Sequence, residues 1–97
     1  MTAVSILELS LKPDALEEAP AVVSGVLEAT RGFIGNLGVE VVIDHMDPTH
    51  WSVIERWESI EADDGYRAFR RSPEGASTLS TLLAAAPVLT RYTVSDV

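Results

Sequence analysis

A chain of 97 residues, 46% of them hydrophobic, can bury one modest core and is too short for two, so residues 1–97 read as a single domain. It contains no cysteine, which excludes disulfide frameworks, thiolate zinc sites, iron–sulfur clusters and cysteine nucleophiles. Seven basic residues against fifteen acidic ones leave a formal net charge of −8, the wrong sign for phosphate backbones or anionic lipid, so neither nucleic acid nor a membrane is expected as a partner.

The opening segment lacks a basic n-region and reaches Glu8 before a secretory stretch could form, and no apolar run approaches membrane-spanning length. Together with the missing cysteine, this makes a reducing cytoplasm the expected location. Residues 4–11 are short, aliphatic and closed by Pro13-Asp14, the pattern of a first strand with Leu7, Leu9 and Leu11 on one face. From Asp14 to Arg31, Leu16, Ala19, Val23, Val26, Leu27 and Thr30 recur at helical spacing. Pro20 is compatible with the first turn of the regular helix, leaving the segment before it as a separate turn.

Gly32 and Gly35-Asn36 stop that helix and turn the chain into a second strand over 37–45, with Leu37, Val39, Val41 and Ile43 sharing a face. After the turn Asp47-Pro48-Thr49, residues 51–57 form a third strand with Trp51, Val53, Glu55 and Trp57 on one side. Ser59 is an N-cap for a second helix, acidic in its first turns and basic at its end, with Ala62, Tyr66 and Phe69 inward. Ser72-Pro73 opens a third helix whose stripe is Leu79, Leu82, Leu83 and Ala86, and residues 88–95 give the last strand. The expected fold is α+β, a ferredoxin-like βαββαβ sandwich with an extra helix before the last strand.

Helices can cover one face of such a sheet, yet Val4, Ile6 and Ile54 are apolar on the other. A second copy of the chain, docked through that sheet face as a homodimer, is expected to cover it. The cluster Asp44, His45, Asp47 and His50 lacks the spacing of a preformed metal site and reads as a solvated turn, so no metal is expected. Gly32, Gly35 and Gly38 lie between a helix and a strand, the reverse of a dinucleotide loop, and read as caps and turns.

Lys12-Pro13, Thr30-Arg31, Gly35, Asp47-Pro48 and above all Glu55-Arg56-Trp57-Glu58-Ser59 occur in this order and spacing, and in them the chain resembles the antibiotic biosynthesis monooxygenase domains of the dimeric α/β-barrel superfamily. The resemblance implies a dimeric α/β barrel and a cofactor-independent oxidation of an electron-rich aromatic, a quinol, anthrone or polyketide-like phenol, by dioxygen. No flavin, haem or metal is then required, because the deprotonated substrate is itself the electron donor. The alternative is a small-ligand binding or stress-associated module with the same fold and no turnover. The haem-degrading relatives use an Asn on the first strand and a His on a late helix. Here the first strand offers Ser5 and Ser10, and residues 74–86 hold no histidine.

The resemblance places Trp57, Tyr66 and His45 as catalytic candidates, with Val53, Glu55, Phe69 and Leu83 against the substrate. Trp57 is either a donor in a pocket wall or a core anchor. Tyr66 stands where many members of the family carry a histidine. It suits anion stabilisation better than proton abstraction, or else it simply packs the second helix. Glu55 points inward as a base or as a structural acceptor for arginine. His45 continues the parity of the second strand and is expected at the mouth of a pocket walled by Trp57, Tyr66 and Phe69.

Overall fold

The computed structural model describes residues 1–97. Strand β1, Ala3–Ser10, alternates strictly, so that Ala3, Ser5, Leu7 and Leu9 face the helices while Val4, Ile6 and Glu8 face away. It lies at the centre of the sheet, antiparallel to β3 (His50–Trp57) on one side and to β4 (Val88–Thr93) on the other. Strand β2 (Asn36–Ile43) pairs with the outer edge of β3, giving the order β2-β3-β1-β4. Trp51, Val53, Glu55 and Trp57 all turn inward from β3 and are buried.

Helix α1, Ala19–Arg31, carries Pro20 in its first turn and is preceded by a separate 3-10 turn, Pro13–Ala15. Its buried residues Ala19, Val23, Leu27 and Thr30 form one stripe over the sheet. Helix α2, Ile60–Arg71, starts where Ser59 Oγ accepts the Ala62 N–H at 3.1 Å, and its acidic first turn and basic last turn suit the macrodipole. Between α1 and β2, Gly35 adopts φ +87°, and a Cβ there would lie 2.6 Å from that of Ala62. Both the handedness and the close approach of α2 therefore require glycine.

Two expectations are corrected. Leu37 does not share the face of Val39 and Val41: a bulge between Asn36 and Gly38 leaves it unpaired and 55% exposed. Residues 73–86 do not form a third helix, but two 3-10 turns, Pro73–Gly75 and Leu79–Leu82, with Ala76 extended between them. Gly75 is pressed onto the backbone of Phe69, where any Cβ would collide with the carbonyl oxygen. Past it, Lys12 donates to the Leu82 carbonyl and Ala84 to that of Ser10, so residues 82–84 extend the edge of β1 instead of winding. Backbone groups already engaged in a ladder cannot also close helical turns.

The core divides in two. Under α1, Leu9, Leu11, Val23, Leu27, Trp51, Val53 and Leu82 pack together. Under α2, Trp57 and Tyr66 stack with ring centroids 5.0 Å apart, and Phe33 meets Tyr66 edge-on at 5.4 Å. The two packing centres do not merge fully, and a cavity lies between them.

Candidate active site

The cavity has a volume of about 400 Å³ and is bounded by the inner face of β1 and β3, by α1 and α2, and by the segment from Gly75 to Pro87. Its body is aliphatic, built from residues such as Leu7, Leu9, Val53 and Leu83, and its polar end holds Glu55, Tyr66, Arg67 and Arg70. A largely apolar cleft with a few converging polar groups is the usual form of a small-molecule site.

Glu55 is 2% exposed. Strand parity forces it inward, and a carboxylate there needs partners. Oε1 accepts from Arg67 Nη2 and from the Trp57 indole N–H at 3.3 Å. Oε2 accepts no hydrogen bond from the protein, yet no fully enclosed polar side-chain atom lacks a partner, so Oε2 is the oxygen open to the cavity. Burial pushes the Glu55 carboxyl above the ordinary glutamate range, and Arg67 and Trp57 offset only part of that rise.

Arg67 is held from behind. Its Nε donates to Asp63 Oδ1 at 2.9 Å, and Asp63 Oδ2 accepts from Ser5 Oγ at 2.6 Å and from Arg91 Nε at 2.7 Å. Asp63 is completely buried, and this network ties α2 to β1 and β4. Of the five N–H groups of Arg67, two are engaged, those on Nε and Nη2. The remaining edge of the guanidinium is available to a ligand.

Tyr66 lines the cavity with its ring, but its hydroxyl is committed elsewhere. Arg70 Nε donates to it at 2.6 Å, and the hydroxyl lies 2.6 Å from Thr30 Oγ1 on α1. Either hydroxyl can supply the proton of the Tyr66–Thr30 bond, since both oxygens also accept from Arg70. Arg70 also donates to the carbonyls of Val26, at 2.7 Å, and Gly75, at 3.2 Å, joining α1, α2 and the turn after α2.

Four of the residues singled out in the sequence, Val53, Glu55, Tyr66 and Leu83, therefore line one cavity. Trp57, Phe69 and His45 do not. Trp57 is wholly enclosed behind Glu55, and Phe69 packs against Phe33 at 5.4 Å on the far side of Tyr66. His45 is exposed in the turn after β2, which ends at Ile43 before the strand parity reaches it. The pocket is thus walled by Tyr66 with Arg67 and Arg70, not by three aromatic rings. In the sequence the two arginines are masked, because basic residues in the last turns of a helix read as solvated partners of the dipole. Their spacing from Asp63, at i+4 and i+7, was the signal that they share its buried face.

The neighbouring turn holds a separate cluster. His50 Nδ1 lies 3.0 Å from Asp44 and Nε2 2.9 Å from Glu8 on the outer sheet face. The bond to Asp44, then that to Glu8, raises the His50 pKa, while the same bond lowers that of Asp44. No group of three or more histidine, aspartate and glutamate side chains is arranged to hold a metal ion, and no helix is long and apolar enough to cross a membrane.

Among solved structures, the chain superposes on a conserved protein from Methanosarcina mazei with a TM-score of 0.81 at 18% identity, covering 95% of this chain and 91% of that one. A protein from Mycobacterium tuberculosis gives 0.80 at 21%, covering 99% and 97%. SnoaB, described as a cofactor-independent oxygenase from Streptomyces nogalater and represented by an asparagine-to-alanine variant, gives 0.80 at 13%, covering 99% and 95%. At these identities the likeness speaks to the shared ferredoxin-like fold. No curated protein matches the chain at a significant level. A model of the antibiotic biosynthesis monooxygenase family matches residues 2–77, a span that includes both helices, the first three strands and the polar end of the cavity, and the chain belongs to that family.

Proposed function

We propose that the protein is a cofactor-independent monooxygenase that oxidises an electron-rich aromatic, a quinol, anthrone or polyketide-like phenol, with dioxygen. The observation that carries this reading is the open Oε2 of Glu55, a base of raised pKa set in an apolar cavity beside an arginine with unengaged N–H groups. In this reading Glu55 Oε2 takes the proton of a bound phenol and the free edge of Arg67 holds the phenolate, whose charge counts for more where water is excluded. For a phenol oxidised to a quinone, the substrate supplies all four electrons that reduce dioxygen. One oxygen atom enters the ring carbon, and the other leaves as water with the two hydrogens the substrate loses. The working unit is a homodimer joined through the sheet face opposite the helices, where Val4, Ile6 and Ile54 lie uncovered by any element of the chain.

The reading is tested by oxygen uptake with a panel of hydroquinones and anthrones. Uptake is expected after exhaustive dialysis against chelator, and Glu55→Gln is expected to lower it about a hundred- to ten-thousandfold with the fold retained. A second reading, a ligand-binding module without turnover, is favoured by the engagement of the Trp57 N–H and the Tyr66 hydroxyl within the protein. Binding of the same aromatics with no oxygen uptake would establish it in place of the first.

A further inference from the structure

The arginines at the polar end of the cavity are not equally compensated. Arg67 faces Glu55 and Asp63, and Arg91 faces Asp63 and Asp64. Arg70 has no carboxylate partner. Its bonds run to the Tyr66 hydroxyl, the Thr30 hydroxyl and two backbone carbonyls, all neutral acceptors. Asp63 lies behind Arg67 and Asp64 is exposed beside Arg91, and neither lines the cavity. Among its 17 lining residues Glu55 is the sole acidic group, against two guanidinium groups. Within a chain of net charge −8, this cavity presents two guanidinium groups against one carboxylate, beside aliphatic side chains where a charge is poorly solvated.

We infer that the ligand of this cavity is an aromatic anion already charged at neutral pH, an aryl carboxylate whose ring rests on the aliphatic wall and whose carboxylate faces Arg67 and Arg70. The donor inventory fits. Arg67 has three unengaged N–H groups and Arg70 one, on Nη1. A planar guanidinium with a free edge matches a carboxylate in two parallel bonds. A neutral phenol would leave the charge of Arg70 unanswered. An arene carrying both a carboxylate and an oxidisable hydroxyl would satisfy the arginines and still place a proton within reach of Glu55. The inference takes from the proposed function only the identity of the site and does not depend on turnover.

Calorimetric titration with 2-naphthoate, its neutral isostere 2-naphthamide and the cation 2-naphthylmethylamine tests it. The carboxylate is expected to bind roughly tenfold or more tightly than the amide, and the amine more weakly than either. Arg70→Gln is expected to bring the naphthoate-to-naphthamide ratio down to within about threefold of unity, whereas Arg70→Lys keeps part of the preference as a point charge. Because Arg70 also braces three elements, each variant is compared with itself on the two ligands, so that a general loosening of the fold cancels from the ratio. Equal affinity for naphthoate and naphthamide in the wild-type protein, failure of all three to bind, or a ratio unmoved in Arg70→Gln would each overturn the inference. An anion preference without oxygen uptake leaves it standing and removes the monooxygenase reading. Oxygen uptake with neutral quinols and no anion preference does the reverse.

Discussion

The indole N–H of Trp57 meets Glu55 Oε1 at 3.3 Å, two residues back on the same strand, on the side of the carboxylate turned away from the cavity. The tryptophan thus acts on the site through the glutamate. Trp57→Phe is expected to remove one of the two donors that favour the charged carboxylate, moving the Glu55 pKa further up. If ionised Glu55 is the base, activity climbs as pH rises through that pKa, and the variant's rising limb shifts to higher pH with KM little changed. Stability should fall by about 1–3 kcal/mol from the void left in the aromatic cluster. A pH–rate profile beside a thermal melt reads both effects.

Tyr66→Phe separates the ring from the hydroxyl. The hydroxyl bridges Arg70 and Thr30, and Thr30 is completely buried. Its loss leaves those partners short of a bond, at a cost of about 1–3 kcal/mol in stability. Turnover per folded molecule is expected to change by less than about tenfold, because the hydroxyl is engaged with Arg70 and Thr30. Denaturant titration and oxygen uptake on one preparation distinguish this outcome from direct stabilisation of a substrate anion.

His50 makes a pH-dependent contribution whose sign follows from its partners. Its folded pKa is raised above 6.5 by Asp44 and Glu8, so the stabilisation is complete below 6.5 and disappears as pH rises through the folded value. The melting temperature of the wild type is expected to exceed that of His50→Gln by more at about pH 6 than at about pH 9. The cluster is solvent-accessible, so added salt should shrink the difference.

Ile54 pairs with Ile6 in the middle of the outer sheet face. Ile54→Arg would place a charge at the centre of the proposed dimer interface without touching the cavity or the buried core. Light scattering is expected to show the wild type at twice the chain mass and the variant at the chain mass, with unchanged secondary structure. A wild-type monomer at micromolar concentration would remove the dimer from the proposal.

Strands β1 and β3 were legible because burial on one face imposes a period of two, and Ser59 because an N-cap has a local chemistry. Leu79, Leu82, Leu83 and Ala86 do have helical spacing, but the backbone groups of residues 82–84 are claimed by the end of β1, a long-range competition that periodicity cannot register. His45 failed for a similar reason: strand parity holds only as far as the pairing, and β2 stops at Ile43. The cavity was legible on its β3 side through Val53 and Glu55. On the α2 side it was not, since Asp63, Arg67 and Arg70 look like ordinary surface charges until three elements bring their partners together.

The replacement of the third helix by two short turns divides the labour around the cavity. Glu55, Tyr66, Arg67 and Arg70 stand on a strand and a helix whose hydrogen-bond ladders fix them, whereas Ala76, Ser77, Leu79, Ser80, Leu83 and Pro87 come from a stretch held only by short 3-10 turns and a single bridge to the end of β1. Substitutions in that stretch can widen, narrow or reshape the space while the polar groups keep their places. Descendants of this sequence can therefore change which ring system they admit through a dozen residues near the C-terminus and leave the acid–base and guanidinium constellation as it is.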